Sequence, residues 1–121
     1  MGNLYYGNTA DPILIPDPVL AHLKVVAATK LRRGESFTVS WAHSPAGGAV
    51  GRTTLWLQPA IPLRFVFQTN EPEQLNPDLL KDMANEANSS AGLTIDLDAR
   101  IPPVVASPAP TGRTPRPRFA A

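Results

Sequence analysis

The apolar residues of this chain change their spacing across residues 30–37, where the sequence reads KLRRGESF. Before this run they recur at helical spacing, and after it they alternate with polar residues, which is typical of a half-buried strand. Gly34 suits the left-handed position that follows many helices. The run therefore predicts the end of a helix over residues 18–33 and the start of a strand at Phe37. The apolar residues concerned are Val19, Leu20, Leu23, Val26, Ala27 and Leu31 in the helix and Phe37, Val39 and Trp41 in the strand.

Similar local signals predict the remaining elements. Asp17-Pro18 and Asn76-Pro77 are each typical of a helix start, because Asp or Asn accepts a free N–H and proline has no N–H to leave unpaired. Strands are predicted at residues 3–6, 12–15, 37–41, 55–57, 63–67 and 93–98, from period-two alternation or short apolar runs between turns. The order ββαβββαβ predicts an α+β domain with an antiparallel sheet of five to six strands and both helices on one face.

The composition predicts a single cytoplasmic domain. With 121 residues, the chain is long enough for one core. It has no cysteine, which excludes disulfides and zinc–thiolate sites and favours a reducing compartment. The sequence shows neither a signal-peptide pattern nor a membrane-spanning apolar run. We expect one α+β domain over residues 1–98 and a disordered Pro/Arg-rich tail over residues 99–121, because the tail has too few apolar groups to offset its ordering entropy.

The net charge is only +1, but the charges are unevenly distributed along the chain. Residues 18–67 are strongly basic, residues 68–98 are strongly acidic, and residues 99–121 carry arginine without any acid. Such polarity predicts either two oppositely charged faces or self-association between them. The alternative is that the segments interleave in space and their charges cancel.

Lys30, Arg32 and Arg33 form the densest cluster of positive charge and are candidate phosphate-binding residues. An alternative explains the same residues without a ligand, because cations in the last turn of a helix offset the negative end of its dipole. Lys30 lies close to the apolar stripe of the predicted helix. Its side chain is therefore expected either to extend along that surface to solvent or to mark the edge of a pocket.

The polar face of the predicted sheet is the second candidate site. Trp56 and Arg64 fall on the face opposite the apolar one, and an exposed tryptophan beside an arginine is suited to stack a nucleic-acid base. Arg52, at the end of the glycine-rich connection, is a further candidate binding residue. The alternative is that the tail or the N-terminal hairpin covers Trp56.

Catalytic and metal-binding motifs are absent from the sequence. His22 and His43 have no metal-ligand spacing, and surface or capping roles are expected for both. Residues 47–51 are glycine-rich but lie between antiparallel strands rather than before a helix, so they do not predict a dinucleotide loop. We therefore predict no catalytic residue, no metal site and no cofactor.

Several segments together resemble a family of small uncharacterised actinobacterial proteins. The most specific is the Lys-Leu-Arg-Arg-Gly-Glu-Ser-Phe core at residues 30–37, and the resemblance extends over roughly residues 1–97. The other segments are an early Tyr-Gly pair, Leu20-Ala21-His22-Leu23, the Trp56-x-x-Pro59 corner, Pro62-Leu63-x-Phe65-x-Phe67, and Ala84-Asn85 to Gly92-Leu93.

Members of that family are often labelled ATP-dependent DNA ligase, so the resemblance implies an adenylated lysine. Such ligases resemble one another in a Lys-x-Asp-Gly motif, and Lys24, Lys30 and Lys81 do not match it. The sequence therefore favours a non-catalytic binding or accessory module, associated with nucleic acid or with another protein but not with a membrane. A ligase-related protein and a self-associating interaction domain are the two alternatives, and the sequence does not fix the oligomeric state.

Overall fold

A computed structural model of the chain describes residues 1–43 and 51–97. The elements follow the predicted order ββαβββαβ, which is confirmed. The predicted tail at residues 99–121 and the glycine-rich segment at residues 47–50 lie outside the described residues. In chain order the elements are β1 (Gly2–Tyr6), β2 (Ile13–Ile15), α1 (Asp17–Arg32), β3 (Phe37–Ala42), β4 (Arg52–Leu57), β5 (Leu63–Val66), α2 (Pro77–Ala87) and β6 (Leu93–Thr94).

The six strands of the described residues form two three-stranded sheets rather than the single sheet that we predicted. The first sheet has the order β2-β1-β5 and is antiparallel, whereas the second has the order β4-β3-β6 and contains a parallel pair, β3 with β6. The turn from β4 to β5 contains Pro59 and Pro62, which have no N–H to donate to a continuing ladder. The Pro62 carbonyl instead accepts the Gly7 N–H at 2.9 Å, and β5 pairs with β1.

One apolar core joins both sheets and both helices. Helix α1 contacts β1 of the first sheet, α2 contacts β3 and β6 of the second, and the two helices contact each other. The helices are therefore distributed over the two sheets rather than packed together on one. The largest fully buried apolar side chains are Leu4, Ile15, Leu20, Leu23, Val39, Leu57 and Leu93.

The two helix starts differ, although their sequences look alike. Helix α2 is capped as predicted, because Asn76 Oδ1 accepts the N–H groups of Asp78 and Leu79 at 3.0 and 3.2 Å. Helix α1 begins one residue before its predicted start, and Pro16 occupies the N-cap position without a side-chain hydrogen bond. The expected capping role of Asp17 is wrong, because Asp17 Oδ2 instead accepts the N–H of Gln68 at 3.1 Å, just after β5.

His22 joins the two helices from a fully buried position, so the expected surface role is wrong. Its Nδ1 lies 2.6 Å from the Pro18 carbonyl oxygen, and its Nε2 accepts the Asn76 N–H at 2.9 Å. A carbonyl can only accept and an N–H can only donate, so these partners require the neutral ring with its proton on Nδ1. The ring thereby ties the first turn of α1 to the start of α2.

The predicted end of α1 is confirmed as a left-handed glycine cap. Gly34 has a φ of 75° and donates its N–H to the Leu31 carbonyl at 3.0 Å. The next N–H, that of Glu35, donates to the Lys30 carbonyl at 3.0 Å. These two hydrogen bonds define a Schellman motif, which normally brings an apolar pair together at the positions that Lys30 and Glu35 occupy. In this chain the motif brings a lysine and a glutamate together.

Candidate ligand-binding site

Lys30 is a buried cation at the junction of the two helix ends. The residue is only 6% exposed, and its Nζ donates to Glu35 Oε1 at 3.1 Å and to Asn88 Oδ1 at 2.5 Å. The ammonium group also lies 6.0 Å from the centre of the Phe37 ring. Asn88 is the residue that caps the C-terminus of α2. Lys30 therefore compensates the negative ends of both helices at one point.

Glu35 is the anion that pairs with Lys30. Its Oε1 accepts from Lys30 and from Arg33, both at 3.1 Å. The hydrogen bonds from Lys30, followed by those from Arg33, lower the pKa of the Glu35 carboxyl group below its ordinary value. The carboxylate is therefore ionised at neutral pH and neutralises much of the positive charge around it.

The predicted basic cluster is consequently divided in the structure. Lys30 and Arg33 are both ion-paired with Glu35. The Arg32 side chain is exposed and makes no hydrogen bond or ion pair with a described residue. Lys30 lines a cleft, in agreement with the prediction that it marks the edge of a pocket.

The cleft has a volume of about 550 Å³, within the range of small-ligand sites. The end of α1 and the start of β3 form one side, the C-terminal turn of α2 forms another, and the Trp56 side chain of β4 completes the lining. Most lining groups are polar and include both donors and acceptors. The full lining comprises Lys30, Glu35, Ser36, Phe37, Thr38, Trp56, Ala87, Asn88, Ser89 and Ser90.

Trp56 also belongs to the outer face of the second sheet. It is 52% exposed and lies opposite Thr38 of β3. Alternation along β4 places Thr54 and Arg52 on the same face, and the register places Ser40 opposite Thr54. The Ser40 and Thr54 hydroxyl oxygens are 2.7 Å apart. The two predicted residues Arg52 and Trp56 thus share one polar face, four residues or about 13 Å apart along the strand.

Arg64 lies on the other sheet, so the predicted face that combines Trp56 with Arg64 does not form. Arg64 is in β5, its guanidinium stacks over the Tyr5 ring at 4.2 Å from the ring centre, and both line a separate cavity of about 400 Å³. Tyr6 connects the two sheets, because its hydroxyl donates to the Trp56 carbonyl at 2.5 Å. The pairing of β5 with β1 is what separates Arg64 from Trp56.

Sequence reasoning missed the acceptors that surround Lys30. Glu35 lies within the same charged run as Lys30, so its contact with Lys30 could have been predicted from the sequence. Asn88 lies 58 positions from Lys30, and no sequence pattern indicates this contact. Ser89 and Ser90 follow the end of α2 in the chain and line the cleft. Their approach to Trp56 depends on how α2 packs against β3.

Within residues 1–43 and 51–97, no group of three or more His, Asp or Glu side chains could hold a metal ion.

Neither of the two described helices combines the length and the apolar character needed to cross a membrane.

Comparison with known proteins places the chain in one family. No curated protein and no solved structure matches the chain. Residues 1–98 match the family described as Domain of unknown function (DUF7882), which covers all of the described residues. The chain belongs to the family of the Domain of unknown function (DUF7882).

Proposed function

We propose that this domain is a non-catalytic binding module, and that the outer face of its second sheet binds single-stranded nucleic acid. The observation that carries the proposal is the position of Trp56, whose half-exposed ring shares a polar sheet face with Arg52. An exposed aromatic ring stacks a base, and a cation on the same face attracts the phosphate backbone.

The geometry along β4 supports a strand-like ligand. Arg52 and Trp56 are about 13 Å apart on one side of the strand, and the hydroxyl groups of Thr54 and Ser40 lie between them. These hydroxyls donate and accept hydrogen bonds without preference for a sequence. A strand laid along β4 can therefore stack one base on Trp56 while Arg52 contacts a phosphate.

Lys30 supports this proposal less directly than the sequence suggested. Its ammonium is already paired with Glu35 and bonded to Asn88, so it adds little free charge for a backbone. The same pairing argues against the adenylated lysine that the ligase-related alternative requires, because a nucleophilic lysine needs an unprotonated amine. Incubation with labelled ATP and Mg²⁺ should leave no label on the protein, and covalent labelling would favour the alternative.

Binding of a fluorescein-labelled oligothymidine, followed by anisotropy from low to physiological salt, tests the proposal. Trp56→Ala should weaken binding by about tenfold or more, because stacking contributes about 1–3 kcal/mol per base. Trp56→Phe should retain most of the affinity, because it keeps a stacking ring. Leu14→Ala is a matched control, since Leu14 is an equally exposed apolar residue on the first sheet.

Arg52→Ala separates the phosphate contact from the stacking contact. We expect it to reduce the slope of log affinity against log salt by about 0.7, the value for one phosphate contact on a single strand. Trp56→Ala should leave that slope unchanged. The double substitution of Arg32 and Arg33 by alanine tests whether the exposed end of α1 also contributes. The absence of any binding at low salt would overturn the proposal.

A further inference from the structure

The cleft beside Trp56 contains an ion pair whose hydrogen-bonding capacity is incompletely used. The Lys30 ammonium has three N–H donors, and Glu35 and Asn88 accept two of them. A carboxylate offers about four acceptor sites, and Lys30 and Arg33 occupy two of those of Glu35. Among the described residues, one Lys30 donor and the acceptor sites of Glu35 Oε2 therefore remain, and both residues line the same cleft as Trp56.

The free donor and acceptors match the edge of guanine. Guanine presents the O6 acceptor next to two adjacent donors, N1–H and the N2 amino group, and lysine is a frequent partner of O6. The Lys30 ammonium can donate to O6 while the Glu35 carboxylate accepts from N1–H and N2–H. The base plane can at the same time stack on the Trp56 indole, as bases do on aromatic side chains.

The other bases match this arrangement less well. Adenine and cytosine each present a single amino donor on the pairing edge, and the neighbouring ring nitrogen is an acceptor. Thymine and uracil present one N–H between two carbonyl oxygens, and the second oxygen would face the Glu35 carboxylate. Guanine is therefore the base whose edge matches both the Lys30 donor and the Glu35 acceptors.

We propose that the cleft formed by Trp56, Lys30, Glu35 and Asn88 is a guanine-selective base pocket. The pocket deepens the proposed function, on which it rests, because it selects one base among those that Trp56 can stack. Its ligand is a guanine base, either within a single strand or in a free nucleotide. Glu35 is the residue that sets the selectivity, and Trp56 supplies the affinity that all bases share.

Oligothymidines in which the central base is thymine, guanine, hypoxanthine, adenine or cytosine test the selectivity. We expect guanine to bind about tenfold more tightly than thymine, in line with the discrimination of a good bidentate contact. Hypoxanthine should fall between them, because it lacks the N2 amino group. Titration with GMP, IMP, AMP, CMP and UMP tests the free-nucleotide source separately.

The Glu35→Gln variant tests the assigned role of the carboxylate. The glutamine side chain has one acceptor oxygen and one donor group, so the ratio of guanine affinity to thymine affinity should fall below about threefold. Asp82→Asn is the matched control, since Asp82 is an exposed acid on α2 that does not line the cleft. Because Glu35 is exposed at the surface, the variant should fold, and circular dichroism checks this.

The outcomes distinguish the pocket from the proposed function. Equal affinity for all central bases overturns the guanine pocket and leaves nucleic-acid binding intact. Selective binding of GMP without binding of any strand supports the pocket and overturns the proposed function. Failure of both strands and nucleotides to bind overturns both. Guanine selectivity that survives Glu35→Gln overturns the assigned role of Glu35.

Discussion

At the scale of single residues, the Lys30–Glu35 pair explains why a charged side chain is buried in this domain. Burial of an unpaired ammonium is strongly unfavourable, and here Glu35, Asn88 and two helix C-termini compensate it. The Schellman motif at Gly34 fixes the distance between the two charged residues. The pair therefore has a structural role whether or not a ligand is bound.

The pH dependence of Glu35→Gln tests this role. The pKa of the Glu35 carboxyl group is lowered by Lys30 and then Arg33, so folding is favoured by its ionised form. The stabilisation is fully present above the ordinary value of 4.5 and is lost as the pH falls through the lowered value. Glu35→Gln should therefore melt below the wild-type protein at pH 7, and the two melting temperatures should converge on acidification.

A second glutamate provides the control for that measurement. Glu71 is exposed and makes no ion pair with a described residue, so Glu71→Gln should follow the wild-type melting curve at each pH. A difference between wild type and Glu35→Gln that stays constant down to pH 2 would contradict the role assigned to the carboxylate.

At the scale of elements, the turn between α2 and β6 forms part of the cleft lining. Gly92 in this turn has a φ of 81°, and its backbone packs directly against Thr38 of β3. The turn holds Ser89 and Ser90 beside the cleft, and the parallel pairing of β6 with β3 begins one residue later, at Leu93. A small residue with left-handed geometry is therefore required at this position.

Gly92→Ala should destabilise the domain by about 3 kcal/mol or more, since a left-handed φ and a steric overlap combine. Its Cβ would overlap Thr38 Oγ1 and lie 3.1 Å from the Thr38 carbonyl oxygen. Gly7→Ala is the matched control, because Gly7 has a φ of 68° and no atom within 4 Å of the added carbon. It should cost only about 1–2 kcal/mol. Urea unfolding measures both, and equal costs would contradict the packing argument.

At the scale of the whole molecule, two sheets share one core. Leu4 and Ile15 enter it from the first sheet, and Val39 and Leu57 enter it from the second. The Tyr6 hydroxyl adds a hydrogen bond to the Trp56 carbonyl between the sheets. Because the apolar surfaces of both sheets are buried in this one core, neither sheet is expected to unfold alone.

We therefore expect a single unfolding transition in urea, with coincident curves from tryptophan fluorescence and from far-ultraviolet circular dichroism. Tyr6→Phe should lower the free energy of unfolding by about 1 kcal/mol and keep one transition. Tyr5→Phe should have a smaller effect, because the Tyr5 hydroxyl makes no hydrogen bond to a described residue. Two separated transitions in the wild-type protein would contradict the shared core.

The sequence by itself determined the features that depend on neighbouring residues. The element order, the glycine cap of α1 and the Asn76 cap of α2 follow from local periodicity and from groups a few positions apart. The pairing of β5 with β1, the separation of Arg64 from Trp56 and the contact of Lys30 with Asn88 were decided only by the tertiary structure. These contacts join residues that are distant in the sequence. They depend on how the helices and strands pack around the common core, which local sequence patterns do not specify.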